Sequence, residues 1–280
     1  MKRASHVLIV LVAIFASTFA AEFAHATDNP PLSFGAVPYQ SPSKMAQLWL
    51  PVLKYISDKS GVPLQFKTAK DVATFEARLR QGEFDITFMN PFLYVELHKT
   101  LGYEPLVKGK FKANGIIIVQ ADSPFKSLQD LQGRDLAFPS AGAFGPSMLP
   151  RAFLFKQGVT TIPHYVGSHE SVYQAVASGI YVAGGGAKHT FATLEPTMRA
   201  KFRVLWSSDP FTSPPIASHP RVALAQRTLL LDTLLHMNED AVGKQLIEQI
   251  GFSPGFDSAA DSDWNDVRSL NLGSMKALAE

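Results

Sequence analysis

Three short segments of this sequence combine a polar or small residue with a following proline. They are Ser41-Pro42, Asn90-Pro91 and Gly145-Pro146, and each comes after an apolar run that is typical of a strand. Proline at the first helical position, capped by Ser, Asn or Gly, indicates a helix start. The free N–H groups and the positive dipole end of such a start bind anions. The pattern therefore predicts either an anion site at converging helix starts or ordinary proline-capped turns without an anion.

Two further side chains have the chemistry to hydrogen-bond a solute. His169 follows Ser168, a predicted helix cap, so its imidazole should lie at a helix start, where the cationic form is disfavoured. We therefore expect a neutral donor, and a capping or surface histidine is the alternative. Tyr39 follows the first predicted strand, and a tyrosine in a cleft both stacks and donates. Packing within its loop is the alternative for Tyr39.

Catalytic, metal and nucleic-acid sites have little support in the sequence. The segment Gly251-Phe252-Ser253-Pro254-Gly255 fits G-x-S-x-G, but the proline has no N–H for an oxyanion hole and the segment follows a helical pattern. A Walker-type loop is absent and the histidines lack metal-ligand spacing, so we expect no metal and no cofactor. The 26 basic and 24 acidic residues form no basic stripe, which disfavours nucleic-acid binding.

The beginning of the chain predicts export. Lys2 and Arg3 precede an apolar run over residues 7–21 and the small-residue triplet 24–26, which is the layout of a cleaved signal peptide. An uncleaved N-terminal anchor is the alternative. The sequence has no cysteine, so neither a disulfide nor a cysteine-linked lipid is expected. Because residues 1–26 hold two basic and one acidic residue, the mature chain has a formal net charge of +1. We expect a soluble monomer in the periplasm.

From Leu32 onward, short apolar runs alternate with amphipathic stretches. Repeated units of this kind predict an α/β fold with mainly parallel sheets. After Pro220 the pattern predicts helices only. The predicted strands cover residues 32–37, 64–69, 85–90, 115–120, 135–140, 162–167, 181–185 and 202–207, and the predicted helices cover 43–59, 72–81, 92–101, 147–157, 168–178, 189–200, 222–236, 240–250 and 263–277.

Several long segments resemble a known family. Their order and spacing, from about residue 32 to residue 251, are similar to those of the phosphonate-binding (PhnD-like) periplasmic substrate-binding proteins of ABC transporters. The segments are LSFGAVPYQ, LWLPVLKYISDKSG, RLRQGEFDITFMNPFLYVE, GIIIVQADSPFKSLQDLQGRDLAFPSAGAFGPSMLPRAFLFKQGV and VGSHESVYQAVASGIYVAGGG.

The resemblance implies a two-lobed periplasmic binding protein fold of type II. Each lobe would be a mainly parallel sheet flanked by helices, with the ligand cleft between the lobes and a two-stranded hinge joining them. After a signal peptide over residues 1–26, the first lobe would comprise residues 27–118 and the C-terminal helices within 209–280. The second lobe would be the inserted segment 119–208.

The same resemblance supplies candidate ligand-binding residues. Tyr39, Asn90 and Phe92 match cleft positions of the first lobe, and His169 matches the pocket histidine of the family. An acidic residue that the family often carries near a ligand amine is Val182 here.

The ligand loop of the second lobe departs from the family. The family's Ser-Thr-Ser run corresponds to Ala143, Phe144 and Gly145, so its hydroxyls are missing while the backbone N–H groups of the turn remain. This change also admits a more apolar ligand. Ser140, at the end of the preceding predicted strand, completes the set of candidate ligand-binding residues.

The predicted function is capture of a small solute in the periplasm. We expect an anion of the phosphate, phosphite or phosphonate type, delivered to an ABC transporter permease with its ATPase. A ligand-sensing partner of a membrane sensor kinase, built from the same two lobes, is the alternative in another class. An enzyme ranks third.

Overall fold

Two β-sheets and the helices around them form residues 30–272, the part of the chain that this computed structural model describes. The strands are β1 (Leu32–Ala36), β2 (Leu64–Lys67), β3 (Ile86–Phe88), β4 (Glu104–Gly109), β5 (Lys112–Ala113), β6 (Gly115–Gln120), β7 (Asp135–Phe138), β8 (Ile162–Tyr165), β9 (Ala183–Ala187), β10 (Phe202–Ser207), β11 (Phe211–Thr212), β12 (Pro215–Ser218) and β13 (Phe256–Ser258). The α-helices are α1 (Pro42–Ser60), α2 (Val72–Arg80), α3 (Pro91–Leu101), α4 (Leu149–Lys156), α5 (His169–Ala177), α6 (Lys188–Ala192), α7 (Pro196–Arg199), α8 (Leu224–His236), α9 (Ala241–Gln249) and α10 (Asn265–Ser269).

The first lobe is built on a six-stranded sheet in the order β13-β4-β12-β3-β1-β2. Strand β1 pairs in parallel with β2 and β3, while β12 runs antiparallel between β3 and β4. Its core surrounds Trp49, whose indole ring lies 5.0 Å from the ring of Phe34 and 5.6 Å from that of Phe88. Four of the six strands point in one direction, so their carboxyl ends meet at one edge, where ligands bind in open α/β sheets.

The second lobe is built on a five-stranded sheet in the order β10-β6-β9-β7-β8. Strand β7 pairs in parallel with β8 and β9, and β6 is the one strand of this sheet that runs the opposite way. The mainly parallel direction of the strands in both sheets confirms the predicted α/β class.

A two-stranded ribbon joins the lobes. Strands β5 and β11 pair antiparallel, and each lies between a strand of the first sheet and a strand of the second. Strand β6 begins at Gly115 and belongs wholly to the second sheet, so the expected lobe limit at residue 119 falls inside a strand. The other expected limit, after residue 208, falls just after β10.

Two of the three predicted helix starts are confirmed. The Ser41 hydroxyl caps α1 by accepting from the Lys44 N–H at 3.5 Å, and the Asn90 carboxamide oxygen caps α3 by accepting from the Leu93 N–H at 2.9 Å. The third prediction is wrong in its register. A π-helical turn over Phe144–Met148 precedes α4, so its cap position is Ala143 and Pro146 is its third residue. Proline is tolerated there because the first turn of a helix leaves its N–H groups without partners anyway.

The prediction of helices only after Pro220 is also wrong, because β13 follows α9 and pairs antiparallel with β4. The sequence pattern missed β13, β12 and β4, which are short or carry a proline and so resemble loops. The single helix predicted over 189–200 is two short helices, since Pro196 begins a new one. The expected signal peptide and the end of the last predicted helix lie outside the described residues.

Candidate functional site

A small cavity lies where the carboxyl ends of both sheets face each other. Its volume is about 50 Å³, enough for several water-sized groups. The β5–β11 ribbon and its flanks close one side. The lining residues are Val37, Tyr39, Val72, Phe88, Asn90 and Pro91 from the first lobe, Ala113, Asn114 and Pro214 near the ribbon, and Ala143, Phe144, Gly145, Pro146, His169, Ala187, His189 and Thr190 from the second lobe.

The turn from Ala143 to Met148 forms the floor contributed by the second lobe. The Ala143 carbonyl accepts hydrogen bonds from the N–H groups of Ser147 at 2.9 Å and Met148 at 3.0 Å, which makes the turn wide. The N–H groups of Phe144 and Gly145 precede these bonded donors, so the helix itself supplies no acceptor for them. Both residues line the cavity.

Glycines of the second sheet hold this turn in place. A Cβ atom on Gly185 of β9 would lie 1.7 Å from the Pro146 carbonyl oxygen, and one on Gly115 of β6 would lie 2.3 Å from the Gly145 carbonyl oxygen. The turn therefore packs directly against sheet backbone, which only glycine permits at these two positions. Gly185 is the middle one of three consecutive glycines at 184–186, which all lie in buried strand β9.

His169 is buried at the first position of α5, behind the Ser168 cap. Its Nδ1 lies 3.1 Å from the Thr190 hydroxyl, which in turn donates to the Ala187 carbonyl at 3.0 Å. Burial, with a smaller contribution from the nearby His189, lowers the pKa of His169 to about 3. The expected neutral state therefore holds, because a charged imidazole would lose its hydration without gaining a carboxylate partner.

His189 and Thr190 also line the cavity, and the sequence pattern did not predict this. Burial lowers the pKa of His189 to about 4, and its ring packs on Phe111 with centroids 5.1 Å apart. The His189 Nδ1 is buried and has no hydrogen-bond partner within the described part of the chain. Their position was the signal that could have found them, since both residues lie in the first turn of α6, which follows β9 directly. Strand ends of this kind bear ligand contacts in open α/β sheets.

Tyr39 and Asn90 are the polar residues that the first lobe contributes to the cavity. The Tyr39 ring lies 6.3 Å from that of His169, and its buried hydroxyl meets no hydrogen-bonding partner among residues 30–272. Burial raises the pKa of Tyr39 above its usual range; the Trp49 indole opposes this shift without reaching hydrogen-bond geometry. The Asn90 amide nitrogen donates to the Gly142 carbonyl at 3.5 Å, so this side chain caps α3 and also contacts the second lobe.

Six of the eight candidate residues from the sequence line the cavity, and two do not. Phe92 packs against the core of the first lobe. It follows Pro91 directly in α3, and neighbouring residues of a helix lie on different sides of it. Ser140 is buried outside the cavity lining, two residues beyond the end of β7. Val182 packs beside the core of the second lobe.

Contacts across the cleft show that the lobes are closed. The Glu170 N–H of the second lobe donates to the Tyr39 carbonyl at 3.1 Å, and the Val72 N–H of the first lobe donates to the Gly167 carbonyl at 3.1 Å. The Glu170 carboxylate also bridges to α1, 2.6 Å from the Lys44 ammonium group and 3.2 Å from the Ser41 N–H. These bonds exist only when the two lobes meet.

The electrostatics of the cavity come from dipoles and not from charged side chains. Among the described residues, its lining includes no lysine, arginine, aspartate or glutamate. The starts of α3, the π-helical turn, α5 and α6 all border it. Helix starts present positive partial charge and unpaired N–H groups, so a small anion is the solute that this arrangement suits.

A larger crevice of about 600 Å³ adjoins the cavity between α1 and the α5–α7 region. It shares Tyr39, His169 and Thr190 with the cavity, so His169 borders both spaces. The crevice is lined by amide and charged groups, including Gln47, Gln174 and Glu195, in contrast to the cavity.

Sites of other classes find no support. Ser253 is exposed in the loop between α9 and β13, away from any strand-to-helix turn. Over residues 30–272, no group of three His, Cys, Asp or Glu side chains has the spacing of a metal site. Within the same range, no helix is both long enough and apolar enough to cross a membrane.

Comparisons with known proteins agree with this architecture. The family model described as the periplasmic substrate-binding protein of a phosphonate ABC transporter matches residues 34–264. The phosphate-import protein PhnD of Mycolicibacterium smegmatis is 23% identical over 252 residues, which is 80% of this chain and 76% of that protein.

Two solved structures share the fold. One is the binding protein component of an ABC phosphonate transporter from Pseudomonas aeruginosa, with a TM-score of 0.80 and 20% identity over 89% of this chain and 87% of that one. The other is PhnD1 from Prochlorococcus marinus in complex with methylphosphonate, with a TM-score of 0.78 and 14% identity over 88% of this chain and 98% of that one. The fold is therefore that of type II periplasmic binding proteins. The proteins of this family are substrate-binding transport proteins and not enzymes. Since the family match spans most of the 280 residues, this protein belongs to the phosphonate-binding family of periplasmic ABC transporter components.

Proposed function

We propose that this protein captures a small tetrahedral oxyanion of phosphorus, of the phosphate, phosphite or phosphonate type, and delivers it to an ABC permease with its ATPase. The observation that carries the proposal is the cavity between the lobes, which four helix starts border and which is lined without charged side chains. The names of the relatives, which refer to phosphonate and to phosphate import, support the same ligand class.

The chemistry of the cavity suits such an anion although the family's Ser-Thr-Ser hydroxyls are replaced by Ala143, Phe144 and Gly145. Backbone N–H groups of the turn donate without any side chain, and the dipoles of the helices add positive potential. In the neutral state, His189 and Tyr39 also bring polar hydrogen atoms to the wall. We assign eight residues to the ligand site: Tyr39, Asn90, Ala143, Phe144, Gly145, His169, His189 and Thr190.

We further propose that the protein acts as a periplasmic monomer after removal of residues 1–26. The hinge would be the ribbon of β5 and β11, so the second lobe would extend from β6 to β10. Light scattering on the purified mature protein measures its mass directly, and a dimer mass would contradict the monomer.

Titration calorimetry and small-angle scattering with methylphosphonate, phosphite and phosphate test the function. We expect at least one of the three to bind with a micromolar or lower dissociation constant and to raise the melting temperature, since a solute that binds only the native state stabilises it. The radius of gyration should fall on binding, because contacts from both lobes exist only in the closed form. Absence of binding by all three, or an unchanged scattering profile at saturation, would contradict the proposal.

The bridge from Glu170 to α1 should favour the closed form. We expect Glu170→Gln to weaken binding of the tightest of these oxyanions by up to about fivefold, because a partly exposed ion pair contributes roughly 0.2 to 1 kcal/mol. This loss of affinity should be smaller at high salt, because salt screens the ion pair between Lys44 and Glu170 in the wild type as well.

The matched control for Glu170 is Lys54→Gln. It removes an ion pair with Asp58 that lies 2.8 Å away within α1 and does not cross the cleft. Calorimetry at low and high salt compares both variants with the wild type. Equal affinities of the two variants would show that the bridge has no part in closure.

A further inference from the structure

The hydrogen bonds around His169 determine which of its ring nitrogens carries the proton. A carbonyl oxygen only accepts, so the 3.0 Å bond to Ala187 takes the hydroxyl proton of Thr190. In this arrangement the Thr190 oxygen accepts from the His169 Nδ1, which lies 3.1 Å away and carries the proton, and the Tyr173 hydroxyl lies 3.4 Å from the same oxygen. A neutral imidazole has a single N–H, so the other nitrogen, Nε2, presents a lone pair.

The Nε2 atom has no hydrogen-bond partner among the described residues, and His169 lines the cavity. A lone pair in this position repels a bare anionic oxygen and attracts an O–H group. The site thus differs from an ordinary anion site, in which every polar group donates.

We propose that the site selects the singly protonated form of its oxyanion, with Thr190 holding His169 in the tautomer whose Nε2 accepts a hydrogen bond from the O–H group of the ligand. This inference rests on the proposed function and adds the protonation state of the ligand to it. Thr190 is a positioning residue, since it acts through His169.

The protein groups around His169 keep one protonation state across the neutral pH range. The pKa values of His169 and His189 are lowered to about 3 and about 4, so both rings are neutral above pH 5. Burial raises the pKa of Tyr39 above its usual range and that of Tyr173 to about 12, so both hydroxyls keep their protons. The charged groups that line the adjoining crevice, which His169 also borders, are Glu170 on α5, Lys44 on α1 and Glu195, and the first two are paired with each other.

The pH dependence of binding therefore follows the protonation state of the ligand. The affinity has its full value at pH values below the second pKa of the oxyanion, where the singly protonated form predominates. It is lost as the pH rises through that value, by about tenfold per pH unit beyond it, because the competent form becomes scarce.

Methylphosphonate and methanesulfonate provide the decisive comparison. As monoanions they have nearly the same size and the same charge, but methanesulfonate has no O–H group. We expect calorimetry at pH 6 to show binding of methanesulfonate at least about tenfold weaker than that of methylphosphonate, since the Nε2 lone pair would then face an anionic oxygen. Between pH 6 and pH 9 the affinity for methylphosphonate should fall.

Two variants separate this role from a structural one. His169→Gln supplies an amide that donates to a bare oxygen, and Thr190→Val removes the acceptor that fixes the tautomer. Both should bring the ratio of the two affinities toward one and flatten the pH profile. Thr193→Val is the matched control, since the Thr193 hydroxyl bonds to the Thr190 carbonyl at 2.9 Å and does not contact His169; its ratio should equal that of the wild type.

Equal binding of methylphosphonate and methanesulfonate by the wild type, or a flat pH profile, would overturn the inference while leaving oxyanion capture intact. An unchanged affinity ratio in both His169→Gln and Thr190→Val would overturn it as well. If no oxyanion binds to the wild type at any pH, the proposed function fails, and the inference fails with it.

Discussion

Replacing Ala143 by aspartate should abolish binding of methylphosphonate while leaving the ligand-free protein folded. Ala143 is buried at the cap position of the π-helical turn and lines the cavity. A carboxylate at this position would stand within a few ångströms of the bound anion. At an effective dielectric constant of about 20, two like charges 4 Å apart repel by roughly 4 kcal/mol, which corresponds to a loss of about a thousandfold in affinity.

The same substitution should stabilise the helix start, although it weakens binding of the anion. An aspartate at a cap position accepts from the free N–H groups of the first turn and interacts favourably with the dipole, by up to about 1 kcal/mol. The melting temperature without ligand should therefore stay the same or rise, while the shift induced by methylphosphonate disappears. Thermal denaturation with and without methylphosphonate measures both effects at once.

Ala143→Asn is the control for Ala143→Asp, because asparagine has the same shape and capping ability without the charge. We expect Ala143→Asn to lose less than about tenfold in affinity, which is the cost of a crowded but neutral group. If the two variants bind methylphosphonate equally, charge repulsion is not the cause. If Ala143→Asp binds as the wild type does, this turn is not the anion site.

Substituting Gly185 by alanine should damage both the fold and the site. The new Cβ atom would lie 1.7 Å from the Pro146 carbonyl oxygen and 2.6 Å from Cδ1 of Phe138. Strand β9 is hydrogen-bonded on both sides, to β6 and to β7, so the strand cannot shift away from the turn. Overpacking of this kind costs about 1 to 3 kcal/mol or more, and the turn that presents the Phe144 and Gly145 N–H groups must move.

Urea denaturation and methylphosphonate titration of the Gly185→Ala variant measure this loss. The neighbouring Gly186→Ala variant is the matched control. Its nearest contacts would be the Tyr173 hydroxyl at 3.0 Å and Cγ1 of Ile116 at 3.1 Å, which belong to side chains that can adjust. We expect Gly186→Ala to be the more stable of the two variants. The reverse order, or wild-type stability of Gly185→Ala, would contradict the account of how the glycines position the turn.

Local patterns were sufficient to predict the fold class and several of its helix starts. Ser41, Asn90 and Ser168 cap α1, α3 and α5 as expected, because a cap bonds to an N–H group only two or three residues away. The alternation of apolar runs and amphipathic stretches predicted the α/β class for the same reason. The family resemblance, carried by segments along most of the chain, is confirmed by the family match over residues 34–264.

Elements that depend on distant partners were not predictable in this way. Strand β13 has three residues and exists because it pairs with β4, about 150 positions earlier in the chain. The register of the π-helical turn was also missed, since it follows from packing of the Gly145 and Pro146 carbonyl groups on the glycines of β6 and β9. Nothing in the local sequence distinguishes that turn from an ordinary proline-capped start.

The sequence by itself determined that His169 begins a helix and is neutral, whereas only the tertiary structure decided what its ring does. In the proposed tautomer the donor is Nδ1, and it bonds to Thr190, which lies 21 positions along the chain on another helix. In that tautomer the Nε2 atom carries a lone pair. A cap and a dipole act within one turn of chain, but a tautomer depends on which acceptor the folded chain brings against the ring, and that acceptor is set by the packing of α5 against α6 and β9.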